Sequence, residues 1–180
     1  MPQNLNIDDL KIGLPAITPV MGAMLAEALM ICLHRNGFES GVSIDVENDK
    51  EDLINFEINW TDNIDNQTDN SWKDQVMATE FGAVGLSVLL VSKLTDYTVV
   101  QQSYRPTGFD YWLGIKNKEN NSFENTARLE ISGVFNGDKS LVKKRVKIKI
   151  AQTNTSDYMN LPAYISVIEF SVPFAIFTKK

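Results

Sequence analysis

Two short runs, GFDYWLG at 108–114 and RLEISG at 128–133, each hold one carboxylate inside an otherwise apolar, strand-like stretch. The acids are Asp110 and Glu130, 20 positions apart. Two carboxylates on neighbouring strands could hold a hard divalent cation, which prefers oxygen ligands, keeps several waters and activates one of them for attack on a phosphodiester. The same two acids could instead be structural. Glu130 would then pair with Arg128 or with a lysine of the basic run downstream, and Asp110 would be a hydrogen-bonded strand-end acid beside the Thr107–Gly108 turn. Exposed pairs of that kind contribute only about 0–1 kcal/mol.

Other chemistries are poorly supplied. His34 is the only histidine and Cys32 the only cysteine. His34 falls in CLHRNG, which reads as the basic last turn and C-cap of a helix. Nucleophilic triads, Cys-His pairs, cysteine zinc sites and disulfide frameworks are therefore excluded as organising features. GAVG at 82–85 lies inside a helical pattern, so it is no phosphate loop or dinucleotide motif, and small-molecule enzymology finds no support. The chain carries a net charge of −6, so nucleic acid would be repelled except at a local basic surface. One such surface is the run from Lys139 through Lys143, Lys144, Arg145 and Lys147 to Lys149, either a solvated helix face or a phosphate contact.

The elements that must position these groups follow from patterning. At 180 residues and 43% hydrophobic, one compact domain is expected. Thr18 and Pro19 open a helix that runs to Gly37, apolar nearly all round and interrupted by Glu27, which calls for a covering surface rather than a membrane. GVSIDVE and LINFEINW alternate with period two and predict a hairpin, followed by the polar loop TDNIDNQTDN. Ser71, with Asp74 three residues on, predicts the start of a second helix that carries Glu80 and runs to Leu94, with Gly82 and Gly85 allowing close approach of another backbone. Three strands follow, YTVVQQSY, GFDYWLGIK and ARLEISGVF, the last two joined by the polar NKENNSFEN. In the third, Ala127, Leu129 and Ile131 share one face and Arg128, Glu130 and Ser132 the other. A helix over NGDKSLVKKRVKIKIAQTN comes next, then LPAYISVIEFSVPFAIF as a buried strand that Pro173 ends or shifts. The polar opening MPQNLNIDDLK predicts no secretory leader and a reducing, cytoplasmic setting, so the sequons at Asn66, Asn120 and Asn154 are coincidental.

From Ser71 to about residue 172 the order is helix, three strands, helix, strand, with Glu80, Asp110 and the triplet Glu130-Ile131-Ser132 at successive positions. This resembles the αβββαβ core of the PD-(D/E)XK nuclease superfamily, which includes restriction endonucleases and many bacterial and phage-defence nucleases. The resemblance implies a mixed α/β, restriction-endonuclease-like core over 71–180, a mixed central sheet flanked by helices, with residues 1–70 as an N-terminal helix-and-hairpin elaboration. It further implies Mg²⁺ held by Asp110, Glu130 and the carbonyl of Ile131, with Glu80 as an accessory acid and DNA or RNA as substrate. The pattern departs at two points. Ser132 stands where the family places a lysine, and Phe109 rather than proline precedes Asp110. A hydroxyl supplies no positive charge, so Arg128 on the same strand face, or Lys143, Lys144 or Lys147 from the next helix, would have to provide it. Lys143, Lys144, Arg145 and Lys147 are the expected phosphate contacts. The rival expectation is an inactive subunit on the same fold, a homo-oligomer or a partner of other proteins, with no membrane association.

Overall fold

The computed structural model describes residues 2–115 and 123–180. The sequon at Asn120 and most of the NKENNSFEN connection lie outside the described residues. The chain forms a mixed α/β fold around one eight-stranded mixed sheet, in the order β1-β3-β2-β8-β7-β6-β5-β4. The strands are β1 (Gln3–Asn6), β2 (Val42–Glu47), β3 (Leu53–Asn59), β4 (Thr98–Gln102), β5 (Tyr111–Gly114), β6 (Ala127–Val134), β7 (Ala163–Glu169) and β8 (Phe174–Lys179). Pairs β1/β3, β2/β8 and β6/β7 are parallel and the others antiparallel. The expected hairpin is β2–β3, and its pairing with β8 makes the N-terminal elaboration and the expected core one continuous sheet.

Among the described residues α1 (Pro19–Arg35) has the short α2 (Asn66–Ser71) against it and packs with α3 (Gln75–Leu94), while α4 (Lys139–Gln152) packs on the sheet. The Thr18 hydroxyl accepts from Met21 N–H and Pro19 takes the first helical position, so α1 begins where its cap and proline place it. Its apolar circumference is covered mainly by α3. A Cβ at Gly85 would stand 3.0 Å from the Leu25 carbonyl oxygen, so only the bare backbone admits α1 at that distance. Glu27, the interruption in α1, accepts from Trp72 Nε1 at 2.6 Å. By length and hydropathy α3 could span a membrane, but 61% of its apolar window is buried within the protein.

Alternation in the sheet decides which groups meet. Across β6, β7 and β8, Leu129, Ile131, Ile168, Ala175 and Phe177 join the core under α1 and α3. Val134, Ile165, Val167, Phe174 and Ile176 form the second core with Val142 and Val146 of α4. The two helical layers therefore lie on opposite faces, and the even-numbered residues of β6 face α4.

Three expectations need correction. Helix α3 starts at Gln75, not Ser71, because Asp74 is its N-cap, accepting from Val76 and Met77 N–H. The stretch around residues 61–70 is not all loop: Asp65 caps the short α2, which Ser71 ends. The C-terminal apolar run is two antiparallel strands rather than one, with Pro173 in the turn between them. Glu169 seals that turn, accepting from Gly137, Ser171 and Val172 N–H at 3.1, 2.8 and 2.7 Å.

Candidate functional site

Strand β6 outruns β5. Their pairing covers Ala127 to Leu129 only, and Asp110 immediately precedes β5 at the point where β6 continues paired with β7 alone. Asp110 N–H donates to the Leu129 carbonyl at 2.8 Å, and Ser103 N–H donates to the Asp110 carbonyl at 2.8 Å. The Asp110 carboxylate reaches across, its Oδ2 accepting from Ile131 N–H at 2.8 Å. Backbone groups of odd-numbered β6 residues thus face β5, while Arg128 N–H bonds toward the β7 side. The Ile131 carbonyl, pointing the same way as its own N–H, lies on the open edge beside Asp110.

Glu130 faces α4 and is fully buried. Its Oε1 accepts from Lys149 Nζ at 2.5 Å and from Gln152 Nε2 at 2.9 Å. Lys149 also donates to Gln152 Oε1 at 3.3 Å, which closes a three-residue cluster. Glu130 Oε2 is buried and has no hydrogen-bond partner. An orphan carboxylate oxygen costs about 1–3 kcal/mol or more unless a proton or a cation takes it.

Burial chiefly, and then the charge of Asp110, push the Glu130 carboxyl up to about 7, against the opposing pull of Lys149. Burial also raises Asp110, opposed by the Ile131 N–H bond and by the charges of Lys149 and Arg105. Two carboxyls both raised by burial, with the charge of Asp110 raising Glu130 further, are what a divalent cation would relieve. The donor set fits Mg²⁺: Glu130 Oε2, the Asp110 carboxylate and the Ile131 carbonyl are all hard oxygens that would hold it, with water completing its shell. Among the described residues no three or more His, Cys, Asp or Glu side chains gather as a metal site, so a cation here would have two carboxylates and a carbonyl from the protein.

Asp110 and Glu130 lie in a cleft of about 1190 Å³ between α3, the β4–β5 loop and α4. Glu80 lines its α3 wall and is exposed; Ser132, 9% exposed, lines it beside Glu130. Of the expected phosphate contacts only Arg145 lines the cleft. Lys143 is 3.5 Å from Glu47 on the other side of α4, and Lys144 and Lys147 are exposed outside the cleft. Arg128 is not available to the site: it is 3% exposed and donates to the Thr153 and Leu161 carbonyls and to Ser156 and Asp157.

The cation beside Glu130 is Lys149, recognised in the sequence only as part of the basic helix. Gln152 had no role there at all. The signal lay in helical spacing, since Leu141, Arg145, Lys149 and Gln152 recur every three or four residues and all line the cleft. The surface ion pair envisaged for Glu130 is instead a buried one, because α4 covers the even face of β6. No protein-family model, no curated protein and no solved structure matches this chain.

Proposed function

We propose that this protein is a divalent-metal-dependent nuclease with a PD-(D/E)XK-like, restriction-endonuclease-like core, of the kind found in bacterial and phage-defence systems and working in the cytoplasm. The observation that carries the reading is Lys149 Nζ at 2.5 Å from Glu130, within the cleft that Asp110 also lines. It supplies the positive charge that Ser132 lacks, delivered from the following helix instead of from the strand.

Bound Mg²⁺ would polarise the scissile phosphate and acidify a water. The protein's part is positional and electrostatic. Asp110 is fixed by its backbone bonds to β6, and Glu130 is fixed by Lys149 and Gln152 through Oε1, which leaves Oε2 to meet the cation. The Lys149 ammonium adds positive charge where negative charge grows on the phosphoryl oxygens, in a partly dehydrated cleft where such a charge acts strongly. Glu80, on the opposite wall, is placed to take a hydrogen bond from a water in the cleft.

The test is cleavage of labelled DNA and RNA with Mg²⁺ or Mn²⁺ by the wild type and by Glu130→Ala. Metal-dependent cleavage by the wild type alone is expected. Equal cleavage by both, or none with either metal, defeats the catalytic reading. The exposed Ile12 and Val20, 77% and 82% accessible, favour a second reading in which the same fold serves as an assembly subunit, as homo-oligomer or with other proteins. Light scattering showing a strict monomer would count against it.

A further inference from the structure

We infer that the cleft takes an unpaired nucleic-acid strand, with Tyr104 stacking a base beside the phosphate that Asp110 and Glu130 address. This rests on the nuclease reading for the location of the phosphate and goes beyond it in naming the substrate class and the residue that selects it. The β4–β5 loop carries Asp110 at its base and Tyr104 and Arg105 at its tip, all three lining one cleft. Tyr104 is 74% exposed, an aromatic ring that no core needs.

The loop that presents it is internally tied. Thr107 N–H and Oγ1 donate to the Tyr104 carbonyl at 3.2 and 2.8 Å, and Ser103 Oγ lies 2.5 Å from Thr107 Oγ1. Thr155 Oγ1 donates to the Thr107 carbonyl at 3.0 Å, which ties the loop to the segment that follows α4. A ring held out on a braced loop is a ready-made stacking platform, and stacking is tolerant of base identity because every base has a π-face.

The exposed ring and the charge distribution favour an unpaired strand over a duplex. Glu130 is fully buried at the cleft floor, so the phosphate must enter the cleft to be cut, and the Tyr104 ring in the same lining can stack only on a base that is unpaired and unstacked. Duplex DNA carries about one negative charge per 1.7 Å and needs a long basic track. This chain is −6 overall, and its basic helix is divided: Arg145 and Lys149 line the cleft, while Lys143 pairs with Glu47 and Lys139 sits over the Phe174 ring. Two or three cations around a cleft suit a few phosphates of a single strand.

The experiment measures Mn²⁺-dependent cleavage of a labelled single-stranded dT 20-mer, the matching U 20-mer, a blunt dA·dT duplex and the same duplex with an overhang. In parallel, a strand carrying 2-aminopurine is titrated in Ca²⁺ into the wild type, Tyr104→Ala and Tyr104→Phe. At least about tenfold faster cutting of a single strand or overhang is expected, with 2-aminopurine quenched by the wild type and Tyr104→Phe but not by Tyr104→Ala, and affinity reduced about tenfold in the alanine variant. DNA and RNA arms identify the sugar, and preference for either unpaired strand supports the proposal. Blunt duplex cut as fast as single strand overturns it while leaving the nuclease reading intact. Tyr104-dependent strand binding without cleavage supports it and defeats the catalytic reading. Tyr104→Ala indistinguishable from the wild type in binding and quench overturns it, and because the ring is exposed an unchanged melting temperature will show that the variant folds.

Discussion

Replacing Lys149 by methionine isolates the electrostatics of the candidate site. The side chain stays unbranched and is one atom shorter, while Glu130 loses the ammonium 2.5 Å away and retains only Gln152. In the wild type the Glu130 carboxyl stands at about 7 against an ordinary 4.5. A carboxyl raised on folding makes the folded state bind more protons than the unfolded one. Its favourable contribution is complete below pH 4.5 and is lost as pH rises through 7. The difference of 2.5 units amounts to about 3 kcal/mol at 1.36 kcal/mol per unit. Removing Lys149 takes away the group that holds Glu130 down, so the carboxyl rises further and the loss extends above pH 7. At pH 8.5 the variant must bury an uncompensated carboxylate or protonate it, at a cost of about 3–5 kcal/mol. At pH 5 Glu130 is protonated in both proteins, and the cost shrinks to one hydrogen bond, about 1 kcal/mol. Urea unfolding at the two pH values reads this directly. With m near 2 kcal/mol per M, the midpoint should fall by about 2 M at pH 8.5 and by about 0.5 M at pH 5. Glu130→Gln should remove the Glu130 share of the wild type's own decline between pH 4.5 and 7, leaving only what the raised Asp110 contributes. An equal midpoint shift at both pH values would refute the assignment of Glu130 as the titrating partner.

Two further substitutions separate the site from its scaffold. Gln152→Leu removes the Nε2 donor to Glu130 Oε1 with little change of volume; Mn²⁺ affinity by calorimetry should fall about tenfold or more, as for other groups that orient a metal ligand, with about 1–2 kcal/mol lost in stability. Arg128→Met strips the donors from the Thr153 and Leu161 carbonyls and from Ser156; about 3 kcal/mol of destabilisation should lower the melting temperature by roughly 10 °C, while cleavage per folded molecule at low temperature holds, because Arg128 does not line the cleft.

Local chemistry made much of the fold legible. Period-two alternation marked β2, β3 and β6, and the Thr18-Pro19 pair placed the start of α1 to the residue. The misses came where two local signals competed. Ser71 and Asp74 both suit an N-cap, and Asp74 won because its carboxylate reaches two N–H groups of the first turn while Ser71 is used by α2, donating to the Gln67 carbonyl. The run from Leu161 to Phe177 reads as one strand because both halves are apolar on both faces. What divides it is Glu169, buried among N–H groups of its own turn and of the β6–α4 connection, a long-range contact with no local signature. The acids of the candidate site were legible as acids out of place, but the depth of Glu130 was not, because burial of the even face of β6 depends on α4 folding back over it.

That folding back explains why the cation is on a helix. Strands β6 and β7 are parallel neighbours, so the chain must cross over between them, and α4 is the crossover. It leaves the end of β6 near Val134, where Val142 packs, and returns antiparallel to the strand, so its last turn overlies the first half of β6. Lys149 and Gln152 are therefore brought to Glu130 by topology, not by sequence proximity. The side chain at 132 faces the same layer two residues further along and lines the same cleft as Lys149. On the nuclease reading, a lysine at 132 and a lysine at 149 would be alternative routes for one charge to one place, and only the crossover reveals the second. A missing strand cation in such a layout is better sought one helical turn from the end of the crossover helix than along the strand.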